Sequence, residues 1–378
     1  MGKTITLLLV LVLVAAPTVG FRPVKAESRT IVVPDDYSTI QDAINLATEG
    51  DIIFVNKGTY QIPTNQTLTI NKSISLIGED AENTLISLNP GYNVTYVLTT
   101  PFFDLTDAII VDADDVTISG FTIDISDPGG YISVTGDRNK IIGNSLETGG
   151  STTGLNLIGS HCNITDNAGG VKFNIEGSSN NVVRNLCNGI FLDGDSNTLS
   201  NNSCTYIIVG HNAPSLYNII CGNKVESNSR GRSGISVETS SHNVVYANYI
   251  SGFSFGLRLD SLSENNTFYH NNFVDNDLLQ VHVDADADRN FWDNGREGNY
   301  WDDYNGTDSN RDGVGDSPYV INSENIDNYP LVSPYHIEND TIVLPPPEPF
   351  PTVLFIASTA LIVFIGLVLL FYFKKRKH

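Results

Sequence analysis

The chain has 378 residues, with 43 Asp and Glu against 21 Lys and Arg and a formal charge of −22. Between residues 30 and 350 the imbalance is steeper: 42 acidic against 13 basic residues, a net −29. Such a surface argues against nucleic acid and anionic membrane as partners, and it repels acidic polysaccharides unless cations bridge them.

Lys3 precedes an unbroken apolar run from Ile5 to Ala16. Pro17 and Gly20 break that run, and Val24-Lys25-Ala26 offers small residues at the −3 and −1 positions of a cleavage site. This order predicts a secretory signal peptide over 1–26. Farther on, Ser38-Thr-Ile-Gln41 has the form of a capping box, and Ile40, Ala43, Ile44 and Ala47 mark one helical face. A short helix is expected there, ended at Gly50, with a first strand over Asp51-Ile-Ile-Phe-Val55.

A short pattern then recurs: Asn, any residue, an apolar residue, two more, and usually Asn again. It starts at Asn139, Asn180, Asn197, Asn218, Asn243, Asn266 and, degenerate, Asn290, with Cys162 in the first place of one copy. The starts lie roughly 22 residues apart, and a second pattern falls between them: Gly154-Leu-Asn-Leu157, Gly189-Ile-Phe-Leu192, Gly234-Ile-Ser-Val237 and Gly256-Leu-Arg-Leu259. Two or three short alternating strands per period suit a solenoid in which equivalent strands pair in parallel. The expected fold is an all-β, right-handed parallel β-helix of about ten coils, closed by the N-terminal helix. Asparagines at equivalent turns would hydrogen-bond along the stack. The register also puts Cys187 and Cys204 at the same place in successive coils, as neighbours open to a disulfide, and sets Cys162 and Cys221 too far apart to bridge.

The opening Ile31-Val-Val-Pro-Asp-Asp-Tyr-Ser-Thr-Ile-Gln41, with Gly50-Asp51 and Gly58-Thr-Tyr60, resembles that of pectin-lyase-type β-helix proteins. The Asn-rich coils and the closing Gly298-Asn-Tyr-Trp-Asp-Asp-Tyr304 resemble the NosD-like β-helix family. The resemblance covers roughly residues 30–335, and with the C-terminal features below it is similar to archaeal surface proteins built from such repeats. It implies sugar-related roles and, for the family's namesake, copper-site assembly.

After a β-helix over 30–305, a C-terminal cap is expected over 306–343. Within it, Asp308, Asn310 and Asp312 alternate, Gly313 follows, the Val314 carbonyl comes next and Asp316 falls at position nine. Oxygen donors in that order wrap a hard cation, and the loop looks like the calcium loops of dockerins and thrombospondin repeats. Position twelve is Tyr319 rather than Glu, so affinity should be modest. Residues 344–352 form a Pro-rich stalk, 353–373 an uncharged run long enough to span a bilayer, and 374–378 a basic cytoplasmic tail. The expected location is therefore the cell membrane, single-pass, with the ectodomain outside.

Asp284, Asp286 and Asp288 alternate as if on one face of a strand. Trp292, Tyr300, Trp301 and Tyr304 suit either a sugar-stacking platform or a cover over the last coil. Acceptors for N-glycosylation occur at Asn65, Asn71, Asn93, Asn163, Asn201, Asn265, Asn305 and Asn339. The carboxylates of Asp112, Asp114, Asp115, Asp193 and Asp195 are too abundant for any pair to be named catalytic. The single methionine is the initiator and the histidines fall in different coils, so copper is not expected. The leading reading is a non-catalytic extracellular module that binds carbohydrate or another cell-envelope component. A tethered polysaccharide lyase, hydrolase or epimerase is the alternative, and metallocentre assembly a third.

Overall fold

The computed structural model describes residues 28–63, 66–88, 107–125, 130–148, 154–227, 232–284, 287 and 290–337. The expected signal peptide, stalk and membrane-spanning run lie outside these residues. Among the described residues, no helix is long and apolar enough to cross a membrane.

Parallel strands of two to five residues stack coil upon coil into a β-helix. The first sheet has eleven strands, from Thr30–Val33 to Thr267–Tyr269, and the second has ten, from Leu68–Ile70 to Leu279–Val283. The third consists of two five-stranded parts joined through single bridges at Leu186. Alternation decides which way side chains point. In the first sheet Ile53, Leu76, Ile118, Ile141, Ile164, Val182, Leu199, Ile220, Val245 and Phe268 stand in register, all buried. In the second sheet Val111, Val134, Leu157, Ile175, Leu192, Val209, Val237 and Leu259 do the same.

Two asparagine ladders hold the turns. In the longer, the backbone N–H of each Asn donates to the side-chain oxygen of the next, from Asn144 through Asn167, Asn185, Asn202, Asn223, Asn248 and Asn271 to Asn299, at 2.9–3.1 Å. The other runs from Asn139 through Cys162 to Asn290, with the Cys162 thiol accepting from the Asn139 N–H at 3.3 Å. Residues just before ladder positions, such as Arg138, His161, Ser179, Arg184, Tyr217 and His270, have φ near +57°. That conformation is uncommon for side-chain-bearing residues, and the buried amide bonds that follow compensate for it.

The helix spans Ile40–Leu46 and covers the first coils with Ile40, Ala43 and Ile44, while Ala47 is buried at its end. Its cap differs from the expected box by one residue. Thr39, not Ser38, is the N-cap and accepts from the Asp42 N–H at 3.1 Å. Gln41 instead reaches across to the backbone of Thr69. At the other end Trp292 stacks on Phe268 at 4.6 Å, Trp301 on Phe273 at 4.7 Å, and Tyr319 on Trp301 at 4.2 Å. Trp292 and Trp301 thus cover the last coil, while Tyr300–Trp301 still pairs in parallel with Asn272–Val274 in the third sheet.

Candidate ligand-binding face

Trp292 and Trp301 are each 1% exposed, so neither ring is free to stack on a sugar. Covering the last coil is what these two side chains do. Tyr300 and Tyr304 are half-buried, and the Tyr304 hydroxyl donates to the Ser317 carbonyl at 2.6 Å. Asp284 lies beyond the strand Leu279–Val283 rather than within it; Asp286 and Asp288 fall outside the described residues.

In the expected calcium loop, the Asp308 carboxylate accepts the backbone N–H groups of Arg311, Asp312 and Gly313 at 2.7–3.2 Å. The Asn310 and Asp312 side chains hydrogen-bond each other at 2.8 Å, and the Val314 N–H donates to Asp312. Asp316 is turned to Thr307 and Ser309. Asp114 and Asp115 are clamped by Arg138, and Asp193 and Asp195 accept from Asn212 and Leu216, as turn carboxylates commonly do.

All four cysteines are buried free thiols. Cys187 and Cys204 meet thiol to thiol, and that hydrogen bond together with burial raises the Cys187 pKa. Of the glycosylation acceptors, Asn71 and Asn305 are exposed. Asn163 accepts from Asn181, Asn265 is half-buried, and the Asn201 side-chain oxygen is buried. Asn65, Asn93 and Asn339 lie outside the described residues.

The outer face of the second sheet concentrates chemistry that the sequence pattern did not single out. Register aligns Asn156, Asn174, Phe191, Ile208, Ser236, Arg258 and His282 in one outward row. The signal was present: Asn156, Phe191, Ser236 and Arg258 are the third residues of the four Gly-led strands. Tyr206 lies edge-on to Phe191 at 5.5 Å, and Phe255 packs against His282 at 4.9 Å. Lys172 sits 5.9 Å above Phe191, and Arg232 lies 5.8 Å from the Tyr206 ring, both within cation–π range. Arg258 and His282 share Asp284, at 3.1 and 3.0 Å. Gly189 makes room for Tyr206, because a Cβ there would come within 2.2 Å of the ring. Tyr206, Phe255, Arg232, Arg258 and His282 line a shallow groove of about 440 Å³.

At the neighbouring corner with the third sheet, a cleft of about 1240 Å³ carries the opposite charge, with Glu226, Asp275, Asp277, Asp302 and Asp303. Gln280 is buried and donates to Asp302, and Asn276 donates to Gln280 at 2.8 Å. Leu279 belongs to the cleft and its neighbour two coils back, Ser233, to the groove, so the two features adjoin along the same strands.

Residues 31–306 match a family described as NosD, periplasmic copper-binding protein. The chain belongs to the NosD family. It is 35% identical over 123 residues to a probable ABC transporter binding protein NosD of Stutzerimonas stutzeri, and 32% identical over 122 residues to that of Pseudomonas aeruginosa. Each match covers 29% of this chain and 28% of the relative, so the chain spans little more than a quarter of those NosD proteins. Among solved structures it is similar to the A-module of the Azotobacter vinelandii mannuronan C-5 epimerase AlgE6, at 15% identity, 66% coverage of this chain, 72% of that one, and a TM-score of 0.36.

Among the described residues no group of three or more His, Cys, Asp or Glu is placed to hold a metal ion. His270 is engaged with Glu297 and Tyr335, and His211 rests on Phe191.

Proposed function

We propose that this NosD-family protein is a non-catalytic carbohydrate-binding module of the cell surface, with the outer face of its second sheet as the binding face. The groove formed by Tyr206, Phe255, Arg232, Arg258 and His282 carries this reading. Aromatic rings beside fixed polar groups are the ordinary make-up of a ligand site. The proposal includes export, one C-terminal membrane anchor and calcium at the Asp308–Asp316 loop; calcium would have to draw Asp316 away from Ser309. The test is retention of the full chain on a panel of immobilised polysaccharides. Wild type is retained on at least one, and Phe191→Ala weakens retention; no retention on any polysaccharide removes the reading.

The acidic cleft favours a second reading, a tethered polysaccharide-cleaving enzyme, because closely set carboxylates are what acid–base hydrolysis requires. Release of reducing or unsaturated ends from the same panel separates the two. Release lost in Asp302→Asn would establish the enzyme.

A further inference from the structure

The net charge predicts that acidic glycans are repelled, yet the cations of the described residues are not spread evenly. Arg138 and Arg184 are held by carboxylates of the preceding coil, Lys224 by Glu226, and Lys72 by three backbone carbonyls at the helix end. On the outer face of the second sheet Lys172 and Arg232 rest on aromatic rings, and although Lys57, Lys140, Arg296 and Arg311 elsewhere also lack an ion pair, only here do such cations gather beside rings and a groove among the described residues. Arg258 and His282 share a single carboxylate, that of Asp284. The strands bearing Lys172 and Arg258 are four steps apart in the sheet, so the strip is about 19 Å long.

A second observation concerns Tyr206. Its side chain is 6% exposed and lines the groove, and its hydroxyl is buried without a hydrogen-bond partner. An unpaired buried donor costs stability unless something accepts from it. Burial pushes its pKa up to about 12, so at neutral pH the group is a phenol able to donate. The Tyr206 hydroxyl is too enclosed to meet a ligand, so the ring serves as part of the groove wall, and the cations with spare capacity are complementary to an anionic oxygen on a ligand that also has ring faces to stack.

We infer that the groove between Tyr206, Arg232 and Arg258 binds an acidic glycan, with its carboxylate or sulfate groups on the cations and its sugar rings on Phe191 and Phe255. This rests on the carbohydrate reading above and deepens it. Local charge overrides net charge here because the Debye length is about 8 Å at physiological salt, shorter than the strip. The acids of the neighbouring cleft are therefore only partly felt by a ligand seated on the cations.

The experiment compares binding of the full chain, in detergent micelles, to polygalacturonate, dextran sulfate and dextran at low and physiological salt. The expected result is tighter binding to one or both anionic polymers than to dextran, weakened by salt. Arg232→Gln is expected to lower that affinity at least fivefold while leaving the melting temperature unchanged, since the side chain is exposed. Which anionic polymer wins distinguishes carboxylate from sulfate. Equal binding of dextran and the anionic polymers, or anionic binding indifferent to Arg232→Gln, overturns the inference and leaves carbohydrate binding standing. Binding of no polymer removes both.

Discussion

The backbone N–H of Asn299 donates to the carboxylate of Asp327 at 2.7 Å, so the longer asparagine ladder ends on an acid instead of an amide. The same carboxylate accepts from the Trp301 indole at 2.9 Å and from the Tyr329 N–H at 3.0 Å, and it is fully buried. Burial raises its pKa to about 6 against the opposing pull of these three donors, and Asp293 adds to the rise.

The sign of the pH effect follows. A carboxyl whose folded pKa lies above its unfolded value favours the folded state most below the unfolded value, near pH 4, and that contribution is lost as pH rises through about 6. The difference is about 3 kcal/mol. Chemical denaturation of wild type and Asp327→Asn between pH 4 and 7 should show this dependence in wild type and not in the variant. Comparing the two cancels the general relief of acidic repulsion on lowering pH.

Asn248 tests the ladder at its middle. Its oxygen accepts the N–H and the amide of Asn223, both at 2.9 Å, and its own amide donates to Ile220 and Asn271. Asn248→Ala strands several buried groups and should cost about 3 kcal/mol in a denaturant titration. The outward pair Asn181 and Asn163 also bonds, at 3.0 Å, but in solvent. Asn181→Ala should stay within about 0.5 kcal/mol of wild type.

Gly189→Ala would force a methyl into the Tyr206 ring. The substitution should cost about 1–3 kcal/mol through overpacking and displace the ring from the face. Thermal unfolding measures the first effect, and reduced glycan retention the second.

Calcium should raise the melting temperature of the full chain, and Asp312→Ala should abolish the increment. Equal shifts in wild type and variant would place any calcium effect outside the Asp308–Asp316 loop.

The coils were legible because each ladder position demands one chemistry: a side chain that accepts from the coil before and donates onward. Asn185, Asn202 and Asn223 therefore repeat as a visible word, and so does the interruption by Cys162. The binding face was not legible in the same way. Outward positions are free to differ, so Asn174, Phe191, Ile208, Ser236 and Arg258 share nothing that a pattern search detects. Coil lengths also vary with the turns, which hides the alignment of Phe191 with Arg258 until strand pairing supplies it. The closing tryptophans were ambiguous because an aromatic residue serves equally well as a lid and as a platform, and only burial separates these roles. At the helix start, Ser38 and Thr39 both offer a hydroxyl, and the backbone conformation at Thr39 chose between them.

Every bond from one rung of the longer ladder to the next points the same way, from earlier coil to later, as in Asn144 to Asn167 and Asn271 to Asn299. The stack is thus a polymer with a head and a tail. A whole turn duplicated between any two rungs would present an acceptor to the rung before and a donor to the rung after, so the rod can lengthen or shorten internally without orphaning an amide. Its tail has no such freedom, because the last rung must receive and has nothing to give. Length is the evolvable quantity in this architecture, and Asp327 marks where a lineage of such rods has to stop growing.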